Sequence, residues 1–389
     1  MRRTELLQEV RKVRFEEILG FWNKRQITQE EAARMLGVSD RTFRRYIGRY
    51  EEDGLEGLKD KRLTQPSRRL APLDEVLALT SQYKSRYTGW NVTHFYSFYQ
   101  KDGGSRSYSW VKNKLQSKGL VPKGQKKGRH RKRREPSPLP GMMLHQDGST
   151  HEWVDGKHWD LIVTMDDATN EHYSMFFVEE EGTASSFRGV KDVIEKRGLF
   201  SSFYSDRGSH YWNTPEAGRK VDKQNLTQFG RAMRQLGIEM IPAYSPEARG
   251  RSERVFKTHQ DRLVKELAMN QVTTMEEANL YINDTYLPAY NAELSHPAAL
   301  EGSAFVPMVG MDIENILCEQ QERTVKADNC VHFEKKILQI PKDKHRFHYV
   351  KTKVRVHCYS DGSLAVFHGP RKLADYDCNG KLKEQKKAA

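Results

Sequence analysis

At about Met142 the apolar residues stop recurring at helical spacing and fall instead into short runs of strand length. Period two and period about 3.6 cannot share one element, so the chain beyond this point must alternate strands with helices. MMLHQDGSTHEW reads as a strand ending at Asp147, KHWDLIVTMDDATN as a second carrying Leu161, Ile162, Val163 and Met165, and HYSMFFVEE as a third. SSFRGVKDVIEKRG has helical spacing, and LFSSFYSDRGSHY is a short strand with Asp206 at its end. A polar insertion from Trp212 to Asn225 precedes a helix in LTQFGRAMRQLG, a strand in IEMIPA, and the stretch AYSPEARGRSERVFKTHQDRLVKEL. Three strands, a helix, a strand, a helix, a strand and a helix predict an α/β layer with a mixed sheet.

In that last stretch Pro246 and Gly250 predict a helix start near Ser252, a good N-cap, with Val255, Phe256, Leu263, Val264 and Leu267 apolar. Glu253 then lies in the first turn, with Lys257 and Gln260 along the same face. TMEEANLYINDTYLPAYN predicts one further helix over 274–291. From about Glu322 to Cys378 the pieces HFEKKILQI, KVRVHCYS and SLAVFH read as strands, with SDGS as a hairpin turn, and predict a small β-barrel.

The chain ahead of Met142 is helical in pattern. Leu6, Leu7, Val10, Val13, Ile18, Leu19 and Trp22 predict an amphipathic helix over 4–23. Thr28 caps a helix over Glu30–Leu36 with Glu31 as its capping-box partner, Gly37 makes the turn, and Ser39 caps a second helix. That second helix carries Arg41, Thr42, Arg44, Arg45 and Arg49, and Ala32, Ala33, Leu36, Val38, Phe43 and Ile47 form a small core. A turn glycine between a capped helix and an arginine-rich one is a helix-turn-helix pattern whose second helix suits a major groove. Residues 72–121 predict a second small helical unit, its aromatics read as core. Between Lys123 and Arg134 stand eight Lys/Arg, including Lys126, Lys127, Arg129, Arg131, Lys132, Arg133 and Arg134, and no apolar residue. Such a run cannot pack and reads as a linker that condenses onto phosphates.

The chain has 389 residues, room for about two to four domains. Its net charge of +13, from 65 Lys+Arg against 52 Asp+Glu, favours a polyanionic partner, nucleic acid first. No apolar run approaches the length of about 18 residues that spans a bilayer, and MRRTELLQEV lacks the apolar core of a signal peptide. Cys318, Cys330, Cys358 and Cys378 form no CxxC pair and read as free thiols, so a cytoplasmic, nucleoid-associated protein without a membrane partner is expected.

Asp147 and Asp206 close two strands and Glu253 opens a helix, flanked by Arg249, Arg251, Arg254 and Lys257. Carboxylates gathered at a sheet edge repel one another unless a cation compensates them. Oxygen donors suit Mg²⁺ or Mn²⁺, and two such ions would activate a nucleophile and stabilise a leaving 3′-oxygen in phosphodiester chemistry. Asp147, Asp206 and Glu253 are therefore the candidate catalytic and metal-binding residues. Glu152, Asp155 and Asp160 compete less well, Asp166 and Asp167 read as turn formers, and His145, His210 and His259 stay unassigned.

HQDGSTHEW, YSDRGSHY and SPEARGRSERVFKTHQDRLVKEL resemble the catalytic core of DDE insertion-sequence transposases, and LTQFGRAMRQLGIEMIPAYSPEARGRSER resembles in particular a not-yet-classified insertion-sequence group. Retroviral integrases are the wider relatives. The resemblance, over about residues 20–50 and 140–300, implies an RNase H-like fold and a polynucleotidyl transferase. It implies Asp147, Asp206 and Glu253 as the triad, two Mg²⁺ ions replaceable by Mn²⁺, and double-stranded transposon-end and target DNA as substrate. A homo-oligomer on DNA is implied too. Two departures stand out: 46 residues separate Asp206 from Glu253, a longer interval than in integrases that we attribute to the Trp212–Asn225 insertion, and no N-terminal His/Cys zinc module occurs.

The resulting division is 1–66 helix-turn-helix, 67–121 second DNA-binding module, 122–140 basic linker, 141–300 catalytic core, and 301–389 an SH3-like barrel with a basic tail. A catalytically idle DNA-binding regulator and a ribonuclease H-type nuclease stay open as alternatives. If six or more phosphates are contacted, DNA affinity should fall by roughly a thousandfold or more between about 50 and 200 mM salt. A fluorescence-anisotropy titration across that range checks this, and a flat response would remove the basic linker from the interface.

Overall fold

The computed structural model describes residues 3–59, 71–124, 135–214, 220–244, 246–310, 312–342, 344 and 346–383, with the backbone alone for 3–7 and 246–251. Its contacts divide the chain into two compact units, Met1–Arg86 and Tyr87–Ala389.

The first unit holds α1 (Arg3–Asn23), α2 (Gln29–Leu36), α3 (Asp40–Asp53) and α4 (Leu73–Arg86). Thr28 and Glu31 form the expected capping box, Gly37 closes α2 at φ 69°, and the Ser39 side chain accepts from Thr42 N at the start of α3. Phe15, Ile18, Leu19, Ala32, Ala33 and Phe43 make the core, with Leu36, Val38 and Ile47 half-buried beside it. Two α1 positions differ from the expected stripe: Val10 and Val13 are exposed, and Phe15 packs instead.

The second unit opens with α5 (Val92–Lys101) and α6 (Tyr108–Ser117) and continues into a five-stranded sheet. The strands are β1 (Met143–Val154), β2 (Lys157–Asp166), β3 (His172–Val178), β4 (Ser202–Ser205) and β5 (Glu239–Pro242), in the order β3-β2-β1-β4-β5. Pairing is antiparallel from β1 through β3 and parallel from β1 through β5, so the mixed sheet is as expected. α7 (Thr183–Arg197) and α8 (Gln228–Leu236) cover one face, where Leu144, Phe187, Val190, Phe203 and Phe229 pack. α9 (Pro246–Met269), α10 (Met275–Tyr281) and α11 (Leu287–Leu294) cover the other, around Trp153, Leu161, Val163, Met175, Leu263 and Leu267. With both faces covered, β2 is buried from Trp159 to Asp166, which is why its sequence reads as a run rather than an alternation. The backbone of edge strand β3 is taken up by asparagine side chains: Asn279 bonds Phe177 N and O, and Asn291 bonds His172 N and O.

Four expectations need correction. β1 does not end at Asp147 but continues through Val154, because its hairpin with β2 extends the ladder. α9 begins at Pro246 rather than near Ser252, since proline is well suited to a first helical position. The helix expected over 274–291 is interrupted by a π-helical turn at Ile282–Tyr286. The C-terminal strands β6 (Glu319–Thr324), β9 (Lys353–Cys358), β10 (Leu364–His368) and β11 (Arg371–Tyr376) form an open sheet in the order β11-β10-β9-β6, beside the hairpin of β7 (Cys330–Phe333) and β8 (Lys336–Gln339). This is not a closed barrel: β6 and β11 do not pair, and the edge strand β6 is the polar EQQERT. The four cysteines are free, and among the described residues no helix is long and apolar enough to cross a membrane.

Close packing of α7 on the sheet is set by Gly189. A Cβ there would lie 2.2 Å from Gln146 Nε2 and 2.8 Å from Thr164 Oγ1. Gln146 is held in place, donating to Thr164 Oγ1 at 2.8 Å and accepting from the Tyr211 hydroxyl at 2.9 Å. Alanine would gain up to about 1 kcal/mol of helix propensity, but overpacking costs about 1–3 kcal/mol, so the clash should win. We expect Gly189→Ala to destabilise the chain by about 1 kcal/mol in urea unfolding followed by tryptophan fluorescence. An unchanged or higher midpoint would mean that α7 can lift off the sheet freely.

Candidate active site and nucleic-acid interface

Parallel pairing aligns Met143 with Ser202, Leu144 with Phe203 and His145 with Tyr204. Asp147 and Asp206 each stand two residues beyond the last aligned pair, so the two neighbouring strands bring them to one level. Asp147 Oδ1 accepts from Gly148 N at 3.1 Å, and Asp206 Oδ1 from Gly208 N at 2.8 Å. Both aspartates are half-buried.

Glu253 reaches the same region by a different route. Val163, opposite Asp147 in the β1–β2 ladder, packs in the cluster that holds Val255, Phe256 and Leu263 of α9. Gln260 Nε2 donates to Ser149 Oγ at 3.0 Å, and Ser149 shares a strand face with Asp147. Lys157 Nζ, at the β1–β2 turn, donates to Thr273 O just past the C-terminus of α9, so α9 runs along β1 in the same direction. Seven residues, about 10 Å, before Gln260 on the same helix face is Glu253. Its side chain is exposed, however, and among the described residues no three His, Cys, Asp or Glu side chains stand close enough to hold one ion together. The fold therefore sets Asp147 and Asp206 at one level of neighbouring strands, with Glu253 exposed on α9.

Two further side chains belong to this neighbourhood. A Cβ on Gly148 would lie 2.3 Å from Glu181 Oε2, and Glu181 Oε1 is 3.5 Å from His210 Nε2. The Tyr211 hydroxyl is pushed well above its ordinary pKa, first by burial and then by the charges of Glu181, Asp147 and Asp206. Three carboxylates thus act on one buried phenol, and carboxylate oxygens are donors of the kind that suits a hard cation. Glu181 carries no sequence signal, lying in the run Glu179–Glu181 after β3, and His210 was visible only as a lone histidine. Asp166 caps the turn after β2 by taking the N–H of Thr169 and also that of Gly141, whereas Asp167 makes long-range bonds instead, with Ser137 N and the His145 ring.

Of the basic candidates, Arg41, Arg44, Arg45 and Arg49 are exposed on α3, with Thr42 half-buried near its cap. Arg254 and Lys257 are exposed on α9 beside Glu253. The backbone of Arg249 and Arg251 is helical, and their side chains lie outside the described residues, as do Lys126, Lys127, Arg129, Arg131, Lys132, Arg133, Arg134 and the tail beyond 383.

Residues 23–76 match the winged helix-turn-helix family model, which takes in α2, α3 and the start of α4. The protein y4bF of Sinorhizobium fredii is 28% identical over 354 residues, covering 88% of this chain and 75% of the relative. The transposase for insertion sequence IS1202 of Streptococcus pneumoniae is 24% identical, covering 92% of this chain and 85% of its own length. The chain is thus similar over most of its length to two proteins named as transposases. Among solved structures, the HTLV-2 integrase catalytic core domain in complex with magnesium is 16% identical over 38% of this chain and 88% of that one, with a TM-score of 0.29.

The seat of α9 includes a pair of buried histidines. His172 Nε2 of β3 lies 3.0 Å from His259 Nε2 of α9, and His259 Nδ1 lies 3.0 Å from the Tyr286 hydroxyl at the π turn. Burial lowers His172 to about 4, and burial with the nearby charges of His172 and Arg262 lowers His259 well below its ordinary value. The unfolded chain takes up these protons near pH 6.5, whereas the fold resists them until far lower pH. Their contribution is therefore complete above about pH 6.5 and lost as the pH falls toward about 4. Urea midpoints measured from pH 7 to pH 4 should fall across that window, and His259→Phe should flatten the fall. A profile identical in the variant would show that the pair does not govern the acid response.

Proposed function

We propose that the chain is a DDE transposase: a polynucleotidyl transferase with an RNase H-like catalytic unit that binds transposon-end duplex, cleaves a phosphodiester at the element's end and transfers the strand to target DNA. The observation that carries this reading is the parallel register of β1 with β4, which brings Asp147 and Asp206 to one level at the edge of a mixed sheet. Similarity to a transposase over 92% of the chain supports it, as does the helix-turn-helix match over 23–76. The division into helix-turn-helix, second helical module, basic linker, catalytic core and C-terminal β region is part of the same proposal, as are a homo-oligomeric complex on paired ends and action in the bacterial cytoplasm at the nucleoid.

In this reading α3 presents Arg41, Arg44, Arg45 and Arg49 to the duplex, and Arg254 and Lys257 neutralise phosphates beside the acidic pocket. Asp147, Asp206 and Glu253 would hold two Mg²⁺ ions, or Mn²⁺ in their place, which when bound compensate the carboxylates and polarise the scissile phosphate. The backbone N–H groups of Gly148 and Gly208 orient the two aspartates. Glu253 would complete this set only from its exposed position on α9, beside the buried Ser252, Val255 and Phe256. One observation favours a second reading: Glu253 is exposed, apart from the acidic pair, as a DNA-binding regulator would tolerate.

Asp147→Asn, Asp206→Asn and Glu253→Gln should each abolish nicking of the flanking genomic DNA in Mg²⁺, a loss larger than the about 100-fold that follows removal of a residue merely supporting a ligand. End binding, followed by mobility shift, should persist in all three. A variant that still cuts normally takes its residue out of the site, and wild-type protein that binds ends without cutting them favours the regulator.

A further inference from the structure

Helices α5 and α6 do not belong to the N-terminal unit, and they are fastened to α9. Asn91 caps α5 by accepting from His94 N at 2.8 Å and turns its amide onto Asp261 of α9. His94, 1% exposed and stacked on Trp90, meets Glu266 Oε1 of α9 at 2.7 Å, and Lys265 Nζ donates to Gly89 O at 3.1 Å. Glu266 also accepts from the Tyr281 hydroxyl at 2.7 Å. These ties span Asp261 to Glu266, more than one helical turn, so α5 can neither roll nor slide on α9 without stranding a buried charge.

α5 in turn fixes α6. Gly103 turns the chain at φ 88°, and a Cβ on Gly104 would lie 2.3 Å from the Tyr99 ring. Tyr96 and Tyr108 pack edge to face at 5.5 Å across the two helices. Cations of α6 and of the residue before its cap lie on aromatic faces: Arg106 is 5.2 Å and Lys114 5.9 Å from the Trp110 ring, and Lys112 is 6.0 Å from that of Tyr108. From Gly103 to Arg134 the chain has twelve Lys/Arg and no Asp or Glu, although acids make up 52 of its 389 residues. α6 is thus a rigid, cationic surface continuous in sequence with the basic linker, complementary to a duplex phosphate backbone.

We infer that α5–α6 is a DNA clamp braced on the catalytic helix, in which Lys112, Lys114 and Lys118 grip the duplex and α9 transmits its position to the acidic pocket. Asp261 and Glu266 are eight and 13 residues beyond Glu253, about 12 and 20 Å along the helix axis. Both distances are shorter than one turn of duplex, about 34 Å, so the ties that hold α5 lie within one such turn of Glu253 along α9. That proximity to a reacting phosphate rests on the proposed function, whereas the DNA contact itself does not.

The test uses the full chain and a random-sequence duplex of about 30 base pairs, three turns of helix. Lys112→Ala combined with Lys114→Ala should reduce the slope of log affinity against log salt by about 2, at about 0.9 for each phosphate no longer neutralised. The same reduction is expected in an Asp147→Asn background, so failure of catalysis and failure of the clamp read separately. In the unaltered chain, hydrogen exchange of Tyr108–Ser117 should slow when the duplex is added. An unchanged slope, or no protection of α6, overturns the proposed grip on DNA. Asn91→Ser keeps the helix cap but cannot reach Asp261, so DNA-induced protection of α9 should weaken while that of α6 persists; undiminished protection of α9 overturns the bracing.

Discussion

The second unit depends on how α9 is held against the sheet. Apolar burial of Val255, Phe256, Leu263 and Leu267 supplies most of the attraction, but it is non-directional and would let a helix slide or roll. Direction comes from buried polar ties. Gln260 meets Ser149 on β1, His259 meets His172 on β3, Arg262 forms a two-pronged pair with Glu293 at 2.9 and 2.7 Å, and Glu266 bonds both His94 and Tyr281. Each tie is exacting because a buried polar group left unpaired costs about 1–3 kcal/mol, and a charge more. Together they set the rotation of α9, and with it the side on which Glu253 emerges.

The acidic pocket obeys the opposite logic. Where α9 is tied by matched partners, Glu181, Asp147 and Asp206 bring like charges to bear on the buried Tyr211 hydroxyl and raise its pKa. Such a pocket is costly in isolation and becomes favourable when a cation or a cation-bearing phosphate enters. Basic side chains of the same unit, Arg254 and Lys257, stand exposed on α9. Negative pocket and positive surroundings together suit a phosphodiester brought in with its own counterions.

Legibility in the sequence followed the range of the interaction concerned. The helix-turn-helix could be read to the residue, because Thr28, Glu31, Gly37 and Ser39 act on backbone groups within four positions of themselves. The catalytic unit could be read as an order of elements, since apolar period reports strand or helix directly. The end of β1 could not: Ser149, His151 and Glu152 look like a turn until the ladder with β2 supplies partners. The early start of α9 was hidden because Pro246 reads as a breaker although it suits a first helical position, and because the helix runs through Gly250 against that residue's local preference. β6 escaped because EQQERT is polar, and the barrel was an inference from strand count that says nothing about whether the outer strands meet.

By itself the sequence determined which residues are acidic, which helices are capped and where strands give way to helices, because these depend on side-chain chemistry and neighbours a few positions away. Tertiary structure alone decided that Asp147 and Asp206 share a level, that Glu181 and His210 join them, and that α5 and α6 are braced on α9 rather than grouped with the N-terminal helices. Those outcomes rest on strand register and on hydrogen bonds between residues more than a hundred positions apart, such as His94 and Glu266, and no local pattern encodes such a meeting.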